Sequence, residues 1–413
     1  MTYLPRITEK RIVRTLDALG AVYLRGVKAS GKTATALQYA KSHINLQADE
    51  NTRQLAKLSP STVLTGDTPR LIDEWQEVPS IWNSIKVEVD NRKAKGQFIL
   101  TGSATKKHDD KLHSGAGRFA VIDISTLSWA ELGYSNASVS LGQLLESAPI
   151  TPAQNQVGLP TILERIVIGG WPTNIGVTEN EARITNESYI QLSLADDISR
   201  VAGVSRNKQN AVAVTKSIAR NIATNIDIKT IAQDADITRQ TASEYLNDLE
   251  NLMLLVNQNA WNVHIRSKAS LRTTPRRHLA DPSLACALLS LSSDKLLQDL
   301  RYTGFLFESQ VFHDLTIYAA ENDAELYYYR DSNDNEVDII AEKRDGSWAA
   351  FEVKLGGTPA ELDEAAKKLL DFKDNIDTTK SKSPSSLNII TGTGYAFTRP
   401  DGVNVLPLSV IGA

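Results

Sequence analysis

An α/β fold built on a parallel sheet, followed by a helical stretch and a second α/β module, is the architecture that the sequence predicts. Three observations predict it. Over the first ~130 residues, short apolar runs alternate with helical patterns, the mark of strands joined by crossover helices. From Leu141 to about Leu255 nearly everything reads as helix, with one break at "IGGWPTN" (168–174). Beyond Lys295 the pattern returns to a helix, three strands, and then helix and strands again.

Each element has its local reason. Strands are predicted at "AVYLRG" (21–26), "TVLT" (62–65), "RLIDEW" (70–75), "QFILTGS" (97–103) and "RFAVIDIS" (118–125), all short apolar runs bounded by polar or glycine residues. Helices are predicted between them, at "TATALQYAKSH" (33–43) and "SIWNSIKVEVDNRKA" (80–94). In the last module, strands are expected at "ELYYYR" (325–330), "NEVDIIAE" (335–342) and "WAAFEVKL" (348–355), with a polar loop at "NIDTTKSKSPSSL" (375–387). The expected domain boundaries are 1–135, 136–205, 206–290 and 291–413.

Composition bounds the answer. The 413 residues exceed one compact core, and 41% hydrophobic with 23% charged content is ordinary for a globular chain. No apolar run approaches ~20 residues, so no membrane span is expected. "MTYLPRITEKRIV" carries charges where a secretory leader needs an apolar core. The lone Cys286, in "LACALL", excludes an intramolecular disulfide framework and fits a reducing cytoplasm and a buried apolar role. The six histidines (43, 108, 113, 264, 278 and 313) form no ligand spacing, so zinc is not expected. A net charge of −4 confines any nucleic-acid contact to a local patch.

The strongest motif is "GVKASGKT". Gly26, Gly31, Lys32 and Thr33 complete G-x-x-x-x-G-K-[ST] after a predicted strand and before a predicted helix. The glycines let main-chain N–H groups of Gly26, Lys28, Ala29, Ser30 and Gly31 turn inward on phosphates. Lys32 reaches the β- and γ-oxygens, and the Thr33 hydroxyl ligates Mg2+. Asp73 and Glu74 then end an apolar run at the carboxyl edge of the sheet, where Asp73 serves the Mg2+ shell and Glu74 polarises an attacking water. "FILTGSA" sets Thr101 and Ser103 at another strand tip, within reach of the γ-phosphate or the water. ATP with Mg2+ is the expected ligand pair, and ATP hydrolysis the expected activity.

Together these residues resemble the AAA+ class of P-loop ATPases: Gly26–Thr33 matches its Walker A motif, Ile72-Asp73-Glu74 its Walker B, and Ser103 its sensor-1 position. Gly170-Trp171-Pro172 resembles the G-x-P element in the lid of the STAND-like branch, which packs near the base. A helix-breaking turn is the alternative for those three residues. The succession "ILTGSA", "GAGRFAVIDISTLSWAEL", "IGGWP", "YIQLSLADDI" is similar to a large bacterial group that joins an AAA+ ATPase to a C-terminal domain of unknown function with a nuclease-like core. Within the Walker A loop this chain has Lys28-Ala29-Ser30, where that group has glutamine or an apolar residue. Main-chain amides do the binding there, so the departure costs little. Arg118 in "GAGRF" is the candidate arginine finger, or else a surface arginine that opens a strand; as a finger between subunits it implies a homo-oligomer. Arg200 and Arg220 are the alternatives for that role.

The segment 226–261 has the cadence of a winged helix: a short helix (228–235), a turn at Asp236-Ile237, a longer helix capped by Thr238, and an apolar strand. Arg239, Gln240 and Ser243 stand where a recognition helix meets base edges. Against DNA, the helix carries one arginine opposite Glu244, Asp248 and Glu250. A lid or subunit contact is therefore the other reading. In the last module, Asp338 lies on one strand and Glu352 with Lys354 on one face of the next, with Glu308 on the preceding helix. Carboxylates holding Mg2+ beside a lysine are the chemistry of a metal-dependent phosphodiesterase. The set resembles the PD-(D/E)XK nuclease fold, with Glu308, Asp338, Glu352 and Lys354 in its motif positions, acting on DNA or kept as a binding module. Arg330 and Tyr327–Tyr329 line a nucleic-acid groove or belong to core and rim of the sheet.

Overall fold

A computed structural model describes residues 3–102, 115–155, 157–262, 274–331, 335–379 and 381–413. It divides into two compact units. One runs up to Thr126 and also takes in Asp196–Arg206 and Asn247–Leu254. The other holds Leu127–Ala195, Asn207–Leu246 and Leu255–Ala413.

The first unit is organised by a five-stranded sheet among the described residues. Its strands are β1 (Ala21–Arg25), β2 (Ser42–Asn45), β3 (Arg70–Asp73), β4 (Phe98–Gly102) and β5 (Phe119–Asp123). They lie in the order β2-β3-β4-β1-β5, and every pairing is parallel. All the carboxyl ends therefore share one edge, the place where open α/β sheets bind ligands. Side chains alternate across β1: Ala21 and Tyr23 pack into one apolar cluster with Trp75, Phe98 and Leu100. Val22 and Leu24 pack into another with Leu71, Ile99 and Ile122. Burial on both faces explains why β1, β3 and β4 read as apolar runs.

Two expectations are corrected here. "TVLT" is not a strand: Pro60–Leu64 is a short helix, with Pro60 at a helix start where a missing N–H costs nothing. The helix expected over 33–43 is Lys32–Leu37 and stops early, because the missing strand follows as β2 at Ser42. β2 is the sheet's edge and only partly buried, so its alternation is faint.

Helices at Lys208–Arg220 and Ile228–Asp234 in the second unit, and at Arg239–Asn251, whose last residues count with the first, each begin at a side-chain cap: Asn207, Asp227 and Thr238 accept from main-chain amides of their first turns. Asp236 adopts the left-handed conformation (φ 51°) at the predicted turn. Short strands β6 (Val139–Ser140) and β7 (Ala153–Gln154) precede this helical region, and β8 (Leu255–Ala260) and β9 (Arg276–Leu279) follow it as an antiparallel pair.

The chain then runs through a long helix, Leu300–Glu321, into an antiparallel meander of β10 (Ala324–Arg330), β11 (Glu336–Lys343) and β12 (Trp348–Lys354). The helix Pro359–Asp374 crosses over to β13 (Ser386–Thr391), which lies parallel to β12. That helix is capped by a reciprocal Thr358–Glu361 box and buries Ala365, Ala366, Leu369 and Phe372 with Trp348 and Ile340. β14 (Tyr395–Thr398) and β15 (Asn404–Pro407) complete a mixed sheet of nine strands among the described residues, while β16 (Ile411–Gly412) pairs with β6. Tyr328 is fully buried, and Tyr329 packs on Trp261 and Phe372, so this aromatic run belongs to core and rim.

Candidate functional site

The loop after β1 is shaped by backbone sterics. A Cβ on Gly26 would lie 2.1 Å from the Ile124 carbonyl oxygen, so only glycine fits. Ala29 (φ 60°) and Gly31 (φ 93°) take left-handed conformations, which turn successive amides toward one concavity. Lys32 is 5% exposed, and its Nζ donates to the carbonyls of Gly26 (3.1 Å) and Val27 (2.7 Å). Burial pushes its ammonium down to about 8. Arg6 braces the loop from outside it, donating to the carbonyls of Ser30 (3.0 Å) and Ser125 (2.7 Å).

Asp73 is the hub of the neighbouring strand ends. Thr33 Oγ1 donates to its Oδ1 at 2.8 Å, Asn45 Nδ2 donates to its Oδ2 at 2.9 Å, and the Thr101 hydroxyl also bonds Oδ1. The register explains the meeting, since Asn45 faces Asp73 directly and Ile72 faces Leu100. A carboxylate with a flanking threonine hydroxyl is a hard-oxygen donor set suited to Mg2+, and it sits beside the Lys32 cradle. Glu74 follows in the left-handed region (φ 54°), a strain of about 1 kcal/mol for a non-glycine residue. Gln76 Nε2 donates to its carboxylate, and burial pushes the carboxyl pKa above its ordinary value, which makes it a stronger base.

Gly26, Lys28, Ala29, Ser30, Gly31, Lys32 and Thr33 lie in the loop and at the start of the helix after β1, and Asp73 and Glu74 lie at the end of β3, where Thr33 bonds Asp73. Ser103 lies outside the described residues. Thr101 turns to Asp73 and is fully buried, so it positions the carboxylate. Lys28 Nζ is held 2.5 Å from Asp197, which Arg200 also approaches at 3.8 Å. Arg118 does not join the site of its own chain. It precedes β5 at the amino edge, bonded to Asp90 at 2.6 Å, and five to six strand residues at ~3.3 Å each separate that edge from the loop. Gly170 and Pro172 belong to the second unit. Gly170 donates to Asp281 (2.9 Å), its carbonyl accepts from Leu127 (2.7 Å), and a Cβ there would lie 2.1 Å from the Leu127 carbonyl oxygen.

The second unit has its own polar site beside a cavity of about 950 Å3, lined in part by Glu308, Asp338 and Lys354. Glu352 lies beneath it, fully buried, with Lys368 at 2.8 Å and Lys354 at 3.5 Å. The four predicted residues are therefore brought together. A fifth joins them: Arg276 on β9 reaches Glu308 (2.6 Å), Asp338 (3.2 Å) and Glu336 (3.3 Å). Burial raises Glu308, with the Asp338 charge adding and Arg276 opposing. Burial also pushes Asp338 upward, but Arg276, Lys368 and Lys354 outweigh it and hold its carboxyl below the usual range. Glu352 is raised to about 7 by burial and by Asp338. Among the described residues, no group of three or more His, Cys, Asp or Glu side chains is arranged to hold a metal ion.

Sequence reasoning missed Arg6, Asn45, Asp197 and Arg276. Arg276 and Arg277 sit in a four-residue strand that is wholly buried, and a buried arginine demands a carboxylate partner. That signal is readable only once the strand is known.

Residues 20–133 match the AAA domain family, 160–295 a domain of unknown function (DUF8612), and 303–411 a second one (DUF4143). The chain therefore carries an AAA-family domain followed by two domains of unknown function. It is 24% identical over 369 residues to the uncharacterized protein Rv2008c of Mycobacterium tuberculosis, covering 88% of this chain and 76% of that protein. Mb2031c of Mycobacterium bovis matches with the same figures. Among solved structures, the Drosophila ORC bound to DNA aligns at 13% identity over 71% of this chain and 85% of that one, with a TM-score of 0.21. The Pyrococcus furiosus Hef helicase domain aligns at 11% identity over 98% and 95%, with a TM-score of 0.18. No helix among the described residues is long and apolar enough to cross a membrane.

Proposed function

We propose that this protein binds ATP with Mg2+, hydrolyses it, and uses the cycle to control its C-terminal module. The carrying observation is the meeting of Thr33, Asn45 and Thr101 on Asp73 beside the Lys32 cradle. In this reading the amides of Gly26–Gly31 hold the phosphates and Lys32 exchanges its loop carbonyls for the β- and γ-oxygens. Thr33 and Asp73 hold the Mg2+, which neutralises charge on the phosphate oxygens. Glu74, with its raised basicity, takes the proton of the attacking water.

Arg118 then serves as the finger of a neighbouring copy, because its own phosphate loop is at the opposite edge of the sheet. This makes the working protein a homo-oligomer. Glu74→Gln is expected to bind ATP and to lose ~10²- to 10⁴-fold in turnover. Arg118→Ala is expected to be slow alone and to regain turnover when mixed with Glu74→Gln, since each supplies what the other lacks. No heat on titration of the folded wild-type chain with millimolar ATP or GTP would overturn the whole reading.

A second reading concerns the C-terminal module. The helix, the antiparallel meander and the crossover to a parallel strand support a PD-(D/E)XK-like core. Arg276 among its acids favours a cytoplasmic adaptor that binds over one that cuts. Plasmid incubated with Mg2+ is then expected to stay intact; nicking that disappears in Asp338→Ala and Lys354→Ala would favour a nuclease instead. The three capped helices followed by β8 and β9 fit a winged helix. Asp248 is fully buried and bonded to Arg206 at 2.7 Å, so it does not repel phosphates from the helix surface. Retention of the chain on DNA that falls steeply with salt tests this DNA contact.

A further inference from the structure

We infer that Arg276 is the resident cation of the acidic pocket, seated where a divalent metal would have to sit, so that the C-terminal module works without a metal. The inference deepens the adaptor reading and is independent of ATP hydrolysis.

The guanidinium is nearly enclosed, with 5% of its side chain exposed, and it lies 5.3 Å above the ring of Tyr328. One of its nitrogens serves both Glu308 and Asp338, and the other serves Glu336. Other acceptors of the cluster are engaged as well. The second oxygen of Asp338 accepts from the Val353 amide at 2.9 Å, and Glu352 is gripped by Lys368 and Lys354. A hard cation needs several carboxylate or water oxygens at about 2.0–2.6 Å, which here requires breaking bonds that already exist.

Charge leads to the same conclusion. Glu308, Glu336, Asp338 and Glu352 are matched by Arg276, Arg330, Lys354 and Lys368, four acids by four bases, before any metal arrives. A divalent ion added to that set would carry an uncompensated double charge into a buried site. Lys354 is likewise engaged with Glu352. The origin of the plug is informative too: Arg276 comes from β9, directly after the three-helix segment, whereas Glu308 and Asp338 come from the last module. One segment thus supplies the cation that fills another segment's acids.

The test is isothermal titration of the full, nucleotide-free chain with Mn2+ and, separately, Mg2+. Wild type and Glu308→Gln are expected to give superimposable curves, showing no binding that depends on the cluster. Arg276→Ala is expected to gain one Mn2+ site at least ten-fold tighter than any in the wild type, and Arg276→Ala/Glu308→Gln to lose it. Wild-type binding that Glu308→Gln abolishes would overturn the inference, as would an Arg276→Ala protein that gains no site. Should Arg276→Ala fail to fold in metal-free buffer, refolding yield takes the place of heat. Mn2+ is then expected to rescue Arg276→Ala and not Arg276→Ala/Glu308→Gln/Asp338→Asn; rescue of neither counts against the proposal.

Discussion

Lys32 shows how a single side chain links burial to ligand affinity. Its ammonium is held at about 8 in the folded cradle, against about 10.4 in an unfolded chain. The folded value is depressed, so between those two limits the unfolded state holds more protons and stability rises with pH. Affinity moves the other way. A triphosphate requires the protonated lysine, so binding is at full strength well below pH 8 and weakens as the pH rises through 8. Titrations of ATP at several pH values check this, and Lys32→Arg, which keeps its charge throughout, is expected to be weaker and flat. At this scale the loop motif and both acids were legible, because their chemistry is tied to short spacings. Asn45 was not, since it meets Asp73 only through the pairing of two strands 28 residues apart. Thr101 was legible as a strand-tip hydroxyl, but its partner was not.

Among the elements, the parallel strands β1, β3 and β4 were readable because burial on both faces writes a continuous apolar run, and β5, an edge strand in which only Ile122 is buried, because its residues are still mostly apolar. β2 was not, having a single strong apolar residue, Ile44, on a half-exposed edge. The first unit also receives a segment from far along the chain, Asp196–Arg206, which brings Asp197 to Lys28. This pair competes with the ligand, because the same ammonium can turn either to Asp197 or to a phosphate. The Lys28 side chain is 44% exposed, so solvent limits the pair to about 1 kcal/mol. Asp197→Asn is therefore expected to tighten ATP binding by roughly five-fold, and Lys28→Ala to weaken it. In a Lys28→Ala background, Asp197→Asn should change nothing; a persisting gain would mean that Asp197 acts through another group. Equilibrium titration of the four proteins completes the cycle.

At the scale of the whole molecule, the order of modules was visible in the sequence while the path of the chain was not. Periodicity reports which face of an element is buried, and it is silent on which distant segment buries it. The first unit is accordingly discontinuous: besides the residues up to Thr126 it includes Asp196–Arg206 and Asn247–Leu254, in which Ile198, Val201, Leu249 and Leu254 are buried. The buried Arg206–Asp248 pair at 2.7 Å ties these two returning segments to each other. A fragment ending at residue 133 keeps the whole Asp73 hub and the loop, yet loses both segments. It is expected to bind ATP, since every phosphate and Mg2+ contact proposed for its own chain is present, and more tightly than the full chain, because Lys28 is released from Asp197. It is also expected to lose that binding at a lower urea concentration than the full chain does, because surface covered by the returning segments is laid open to water. Bound fluorescent ATP followed through a urea series measures both quantities on one sample. Equal midpoints would mean that the returning segments add nothing to the first unit, and equal affinities that Asp197 does not restrain Lys28.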